Sequence, residues 1–141
     1  LRDSFDLILT FHVVEHFPDK PKALKNIHSA LKPSGWVCHV VPTTPVHIFR
    51  HFRSSITNPL TLTPRIFGGV HGEYDGILEE LLSNTINSWR NLFTSNGFRV
   101  VADTPGKAFG MRPLSATTSQ RIANTFHLYG SHVFLMRKQG E

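Results

Sequence analysis

At 141 residues, with 40% hydrophobic and 18% charged side chains, the chain is composed for one folded domain with its own core, which excludes an intrinsically disordered segment. No apolar run reaches the roughly 18 residues of a membrane-spanning helix, so no membrane span is expected. The net charge of +5 comes from scattered residues (Lys20, Lys22, Lys25 and Lys32; Arg50 and Arg53; Arg137 and Lys138), which reads as a solvated face rather than a nucleic-acid footprint.

The chain opens on Leu1 rather than Met, and Leu1-Arg2-Asp3-Ser4 has no apolar signal-peptide core, so a start within a longer protein is expected. Phe5 to Phe11 is a short, nearly continuous apolar run, the pattern of a strand covered on both faces in a parallel sheet. Asp19 offers an N-cap with Pro21 in the first turn, and Ala23, Leu24, Ile27, Ala30 and Leu31 follow at helical spacing. Lys32-Pro33-Ser34-Gly35 stops that helix, and Trp36 to Val41 reads as a second buried strand ended by Pro42. Strand, helix, strand makes a βαβ unit with a right-handed crossover expected. Cys38, the single cysteine, falls in this second strand as a buried, inert thiol; with no disulfide possible, a cytoplasmic protein is expected.

Residues 43–75 carry Pro45, Pro59, Pro64 and Gly68-Gly69 and read as a long functional loop. One helix is expected over Ile77–Ser95, its apolar stripe running Ile77, Leu78, Leu81, Leu82, Ile86, Trp89, Leu92 and Phe93 and its end at Asn96-Gly97. Phe98–Ala102 reads as a third strand, Ser115–Phe126 as a further helix and His132–Met136 as a last strand. The fold class expected is α/β.

Three pieces of sequence resemble one family. Phe5-Asp6-Leu7-Ile8 through Val14-Glu15-His16 to Asp19 is similar to the "FDLVxxxxVLEHxxD" stretch of class I S-adenosylmethionine-dependent methyltransferases of the small-molecule, ubiquinone-biosynthesis-like type. Leu24 to Leu31-Lys32-Pro33-Ser34-Gly35 resembles the family's "LxxIxxxLKPGG", and Trp89 to Phe93 and Asn96-Gly97-Phe98 resembles its "LxxLFxxxGF". The resemblance covers residues 3–102 well and 103–141 loosely. It implies the C-terminal half of a Rossmann-like fold, strands 4-5-7-6 of the family's 3-2-1-4-5-7-6 order with the closing strand antiparallel, so that residues 1–141 are a partial methyltransferase domain. The glycine-rich turn and the acidic residue that hold most of the cofactor would precede residue 1; Gly68, Gly69, Gly72, Gly106 and Gly110 lack the required strand–turn–helix setting. With the preceding strands absent, the strand at residues 5–11 becomes an exposed apolar edge, and an aggregation-prone chain is expected.

The implied cofactor is S-adenosylmethionine, which carries the reactivity while the protein aligns the acceptor and, where necessary, removes a proton. By the resemblance, Thr10, Phe11, His12 and His16 face the cofactor at the end of the first strand. Pro42, Thr43 and His47 line the acceptor pocket, with Thr44 beside them, and so do Glu73 and Tyr74. His71 and His12 are the candidate proton acceptors, since a neutral imidazole can take a proton from a hydroxyl or amine; His71 reads equally as a loop histidine bonded to backbone. His12, Glu15 and His16 form H-x-x-E-H, similar to the metal-binding E-x-x-E-H of small-RNA 2′-O-methyltransferases. Glu15-His16 is also common in relatives without metal, where it packs the next helix, and no metal is expected. His28, His39, His51, His127 and His132 read as structural or surface residues.

No Ser/His/Asp order, phosphate-binding loop or Cys/His zinc spacing is present. Thr10-Phe11-His12-Val13 stands where base-modifying methyltransferases carry an Asn-Pro-Pro-Tyr-type turn, which favours a small-molecule or lipid- or sugar-linked acceptor over a nucleobase. The alternative reading is a non-catalytic α/β binding module or a methyltransferase fold kept as scaffold, with nucleic acid as its partner.

Overall fold

The computed structural model describes residues 1–45, 48, 77–106, 117–118, 121, 124–125 and 129–139. The elements in chain order are β1 (Phe5–Phe11), a 3₁₀ turn (Val14–His16), α1 (Lys20–Ala30), β2 (Leu31–Pro42), α2 (Ile77–Ser83), α3 (Ile86–Ser95), β3 (Phe98–Pro105) and β4 (Ser131–Lys138). The chain divides into two compact units, one of Leu1–Val41, Ile86–Thr104 and His132–Glu141, the other of Pro42–Thr85 and Pro105–Ser131.

The first unit holds a four-stranded sheet of order β1-β2-β4-β3, the arrangement expected for a 4-5-7-6 half-sheet. β1 and β2 run parallel, with Leu7 opposite Trp36, Leu9 opposite Cys38 and Phe11 opposite Val40. The register slips once, between Phe5–Leu31 and Leu7–Trp36, so Lys32-Pro33-Ser34-Gly35 bulges out of the ladder instead of forming a separate loop. Gly35 is needed inside that bulge, since a Cβ there would sit 2.8 Å from the Leu31 side chain. Antiparallel pairing of β3 and β4 follows from their ends. Gly106 N–H donates to the Ser131 carbonyl at one end (2.9 Å), and Gln139 N–H donates to the Gly97 carbonyl at the other (2.7 Å).

α1 begins where its cap directs: Asp19 Oδ1 accepts from the Lys22 N–H at 2.9 Å, with proline in the first turn. It buries Leu24 and half-buries Ile27 against a core of Val14, Leu31, Val37, Val41, Trp89, Phe93, Phe98, Phe134 and Met136. Phe93 is the centre of this core: its ring lies 5.9 Å from Trp89, 5.2 Å from Phe134 and 5.2 Å from the imidazole of His39.

Two expectations need correction. The single helix over 77–95 is two helices, broken at Asn84-Thr85, where the chain also passes from one unit to the other. Buried Asn84 turns its amide onto the Glu80 carbonyl (2.7 Å), competing with the helical ladder. Leu78 and Leu82 are correspondingly 70% and 60% exposed rather than part of a core stripe, whereas Trp89 and Phe93 are buried as expected. Secondly, β1 is not covered on both faces. It lies at the sheet edge, and Phe5, Leu7, Leu9 and Phe11, alternating along one face, are all exposed, as is Val13 beyond the His12 turn. Ile8, on the opposite face, packs on the core. Thr44, Pro45 and Ile48 are helical where a loop was expected, and most of residues 43–75 and 115–126 lies outside the described residues.

Four exposed apolar side chains in alternation on an edge strand form a template for association. Residues 1–141 are therefore expected to self-associate at micromolar concentration and to bind a hydrophobic dye, and Leu7→Lys/Leu9→Lys should reduce both. A monodisperse monomer by light scattering, indifferent to the dye, would contradict this.

Candidate functional site

Parallel pairing brings the carboxyl ends of β1 and β2 to one rim. The His12 N–H extends the ladder by donating to the Val40 carbonyl (2.9 Å). His12 itself is left-handed (φ 52), a conformation costly for a residue with a Cβ, and it turns the chain sharply into the 3₁₀ segment. Val14 drops into the core and anchors the turn, while Phe11 stays 63% exposed. The side chains of His12 and His16 are half exposed (51% and 48%), so the turn is open to solvent.

Glu15 lies buried between the two histidines. Its Oε1 is 3.4 Å from His12 Nδ1 and 3.9 Å from His16 Nε2, and its buried Oε2 has no hydrogen-bond partner among the described residues. The H-x-x-E-H pattern thus closes into one local cluster. The described residues contain no grouping of three or more metal-type ligands with suitable geometry. His71, the other candidate proton acceptor, lies outside the described residues.

Thr10 reaches into the sheet, where its Oγ1 is 2.6 Å from Nδ1 of His39 on β2. His39 is fully buried, and burial pushes its pKa down to about 4. The imidazole is thus a neutral core group, Nδ1 joined to the rim through Thr10 and its ring against Phe93. Sequence reading treated His39 as merely structural and missed its bond to a candidate cofactor residue. The available signal was period-two spacing, since Val37, His39 and Val41 share the buried face of β2. Half-buried Cys38 is free, and burial raises its thiol pKa, in keeping with an inert role.

The second unit holds the residues expected to line an acceptor pocket. Pro42 is buried at the end of β2, and Thr43, 3% exposed, donates its hydroxyl to the Tyr129 carbonyl. Thr44 N–H donates to the Asn84 carbonyl (3.1 Å) and its hydroxyl to the Leu81 carbonyl (2.6 Å). His47, Glu73 and Tyr74 lie outside the described residues.

His28 packs edge-on to Phe98. Buried His132 lies 3.7 Å from Asp103, which Arg90 also engages. Desolvation lowers the His132 pKa against the pull of Asp103. His51 and His127 lie outside the described residues. No described helix is long and apolar enough to cross a membrane.

Residues 1–103 match the family model described as a methyltransferase domain. The chain resembles a methyltransferase of Haloferax volcanii solved with the Trm112 methyltransferase activator (14% identity, 98% of this chain and 56% of that chain, TM-score 0.59). It also resembles S-adenosylmethionine-dependent methyltransferases from Mesorhizobium loti (15%, 98% and 63%, 0.57) and Listeria monocytogenes (13%, 99% and 64%, 0.58). It therefore spans between 56% and 64% of the length of these structures. No curated protein matches it in sequence.

A histidine held neutral by burial loses stability as it is forced to take a proton. With a folded pKa near 4 against 6.5 unfolded, the unfolded state binds the proton first as pH falls. Stability should be fully present above pH 6.5 and decline from there through 4, with a contribution of order 3 kcal/mol from His39. His39→Gln should flatten this part of the denaturation midpoint–pH profile relative to the parent. Parallel profiles would remove His39 as the cause.

Proposed function

Because the chain belongs to the class I S-adenosylmethionine-dependent methyltransferase family, we propose that it forms the acceptor-side part of an enzyme that methylates a small-molecule or lipid- or sugar-linked acceptor. In this reading residues 1–141 are a partial catalytic domain. The observation that carries it is the solvent-open, left-handed turn at His12, placed at the carboxyl rim of the parallel pair with Phe11 exposed beside it. Ligands of open α/β sheets bind at that rim.

The residues present fit the cofactor in part. An exposed aromatic ring and an open backbone turn suit its apolar portion and main-chain-like end, and the adjoining buried carboxylate suits a cationic ligand. Thr10, Phe11, His12 and His16 would hold it. Bound S-adenosylmethionine supplies an electrophilic methyl group on a sulfonium. No glycine-rich turn after a strand is seen among the described residues to complete the cradle.

The chain's own contribution is alignment and proton transfer. Glu15 Oε1, 3.4 Å from His12 Nδ1, favours the tautomer protonated at that nitrogen and leaves Nε2 to accept a proton from the acceptor's hydroxyl or amine. In this reading Pro42, Thr43 and His47, with Glu73 and Tyr74, position the acceptor, and His71 is the second candidate base. A purely scaffolding role has no specific observation in its favour.

Calorimetric titration of S-adenosylmethionine should give saturable binding to the full-length protein and none to residues 1–141 alone. No binding by the full-length protein would sink the proposal. His12→Ala should lower kcat by on the order of a hundredfold while cofactor affinity changes less, the usual scale for loss of a general base. An unchanged kcat would transfer that role to His71 or to solvent.

A further inference from the structure

Lys32, Arg99, Arg137 and Lys138, far apart in sequence, meet around one surface hollow of about 490 Å³ completed by Asp3, Pro33 and Ser34. It lies within the first unit, where β2 and β3 begin and β4 ends, at the opposite ends of the strands from the His12 turn. Its charges are unequally matched. Lys138 pairs with Asp3 (2.9 Å) and Lys32 with Asp6 (2.9 Å). Arg99 is exposed and Arg137 half-buried, and neither guanidinium has a carboxylate partner among the described residues.

Arg137 is held for planar recognition. Its guanidinium carbon lies 3.8 Å from the centre of the Trp36 ring, and its buried Nε has no hydrogen-bond acceptor among the described residues. Contact with the ring holds the group in place, and the fork of a guanidinium suits bidentate binding of an oxyanion. Ser34 brings a hydroxyl donor, and the Lys32–Gly35 bulge keeps its main chain out of the β1 ladder.

We propose that this hollow is an anion site for a phosphate monoester, gripped by Arg137 and Arg99 with the two lysines at its margin. Two unmatched guanidinium charges suit one dianionic group, and a bounded hollow suits a small ligand better than a nucleic-acid strand, which needs an extended basic track. The proposal does not depend on the chemistry assigned to the His12 rim.

The test is titration of the full chain with inorganic phosphate and with phosphoserine at constant ionic strength set by sodium chloride, read by calorimetry and by the indole N–H resonances. Saturable binding that shifts the Trp36 resonance and leaves buried Trp89 unmoved is expected. Arg137→Gln and Arg99→Gln should each weaken it about tenfold or more, the scale of one lost charged hydrogen bond. Arg99 is exposed and has no carboxylate partner among the described residues, so its variant reports on binding even where Arg137→Gln perturbs folding. Arg137→Lys should also weaken binding, and Asp3→Asn should tighten it by releasing Lys138. Non-saturating responses, or full affinity in Arg99→Gln, would overturn the proposal. So would preferential, steeply salt-dependent binding of a short oligonucleotide.

Discussion

The parallel pairing of β1 with β2 is the constraint on which the rest depends. It aligns the two carboxyl ends at one edge, and the His12–Val40 hydrogen bond carries the ladder one residue past the strand before the chain turns left-handed. Without that last bond nothing would fix where the turn begins. Val14 holds the other side of the turn from within the core, so an energetically disfavoured backbone is clamped at both ends. The geometry of the turn is thus set by the sheet and the core together.

The same pairing links the rim to the hydrophobic interior. Thr10 and His39 sit on adjacent strands and bond across them, and His39 in turn lies against Phe93, which contacts Trp89 and Phe134. One imidazole thus touches both the centre of the core and the rim. At the amino ends of the same strand pair the register slip at Lys32–Gly35 holds Lys32 against Asp6 and leaves Ser34 at the mouth of the basic hollow.

Much of this was legible in sequence because the signals are local. Asp19 with Pro21 marks a helix start whatever surrounds it, the apolar run at Phe5–Phe11 marks a strand, and Asn96-Gly97 marks a stop. The strand order followed from resemblance rather than from periodicity. A continuous apolar run cannot say which face is covered, so the exposure of Leu7, Leu9 and Phe11 was not readable from composition. The break at Asn84 was hidden because the stripe from Ile77 to Phe93 keeps helical spacing through it, while the Asn84 carbonyl accepts from the Thr44 N–H and its side-chain amide bonds the Glu80 carbonyl. The meeting of Lys32, Arg99, Arg137 and Lys138 arises from strand order, so a linear reading saw only scattered charge. At the rim, the sequence identified Thr10 and His12 but not the buried imidazole that Thr10 bonds.

Gly97 (φ 86) ends α3, starts the path into β3 and, through its carbonyl, receives the last strand from Gln139. An added methyl group would press to 3.2 Å of the His28 ring on α1. Three elements and a helix face are thus indexed to a single hydrogen-sized side chain. The position can absorb no drift in size, and any rearrangement of this corner during divergence would have to alter His28 and the β4 terminus together.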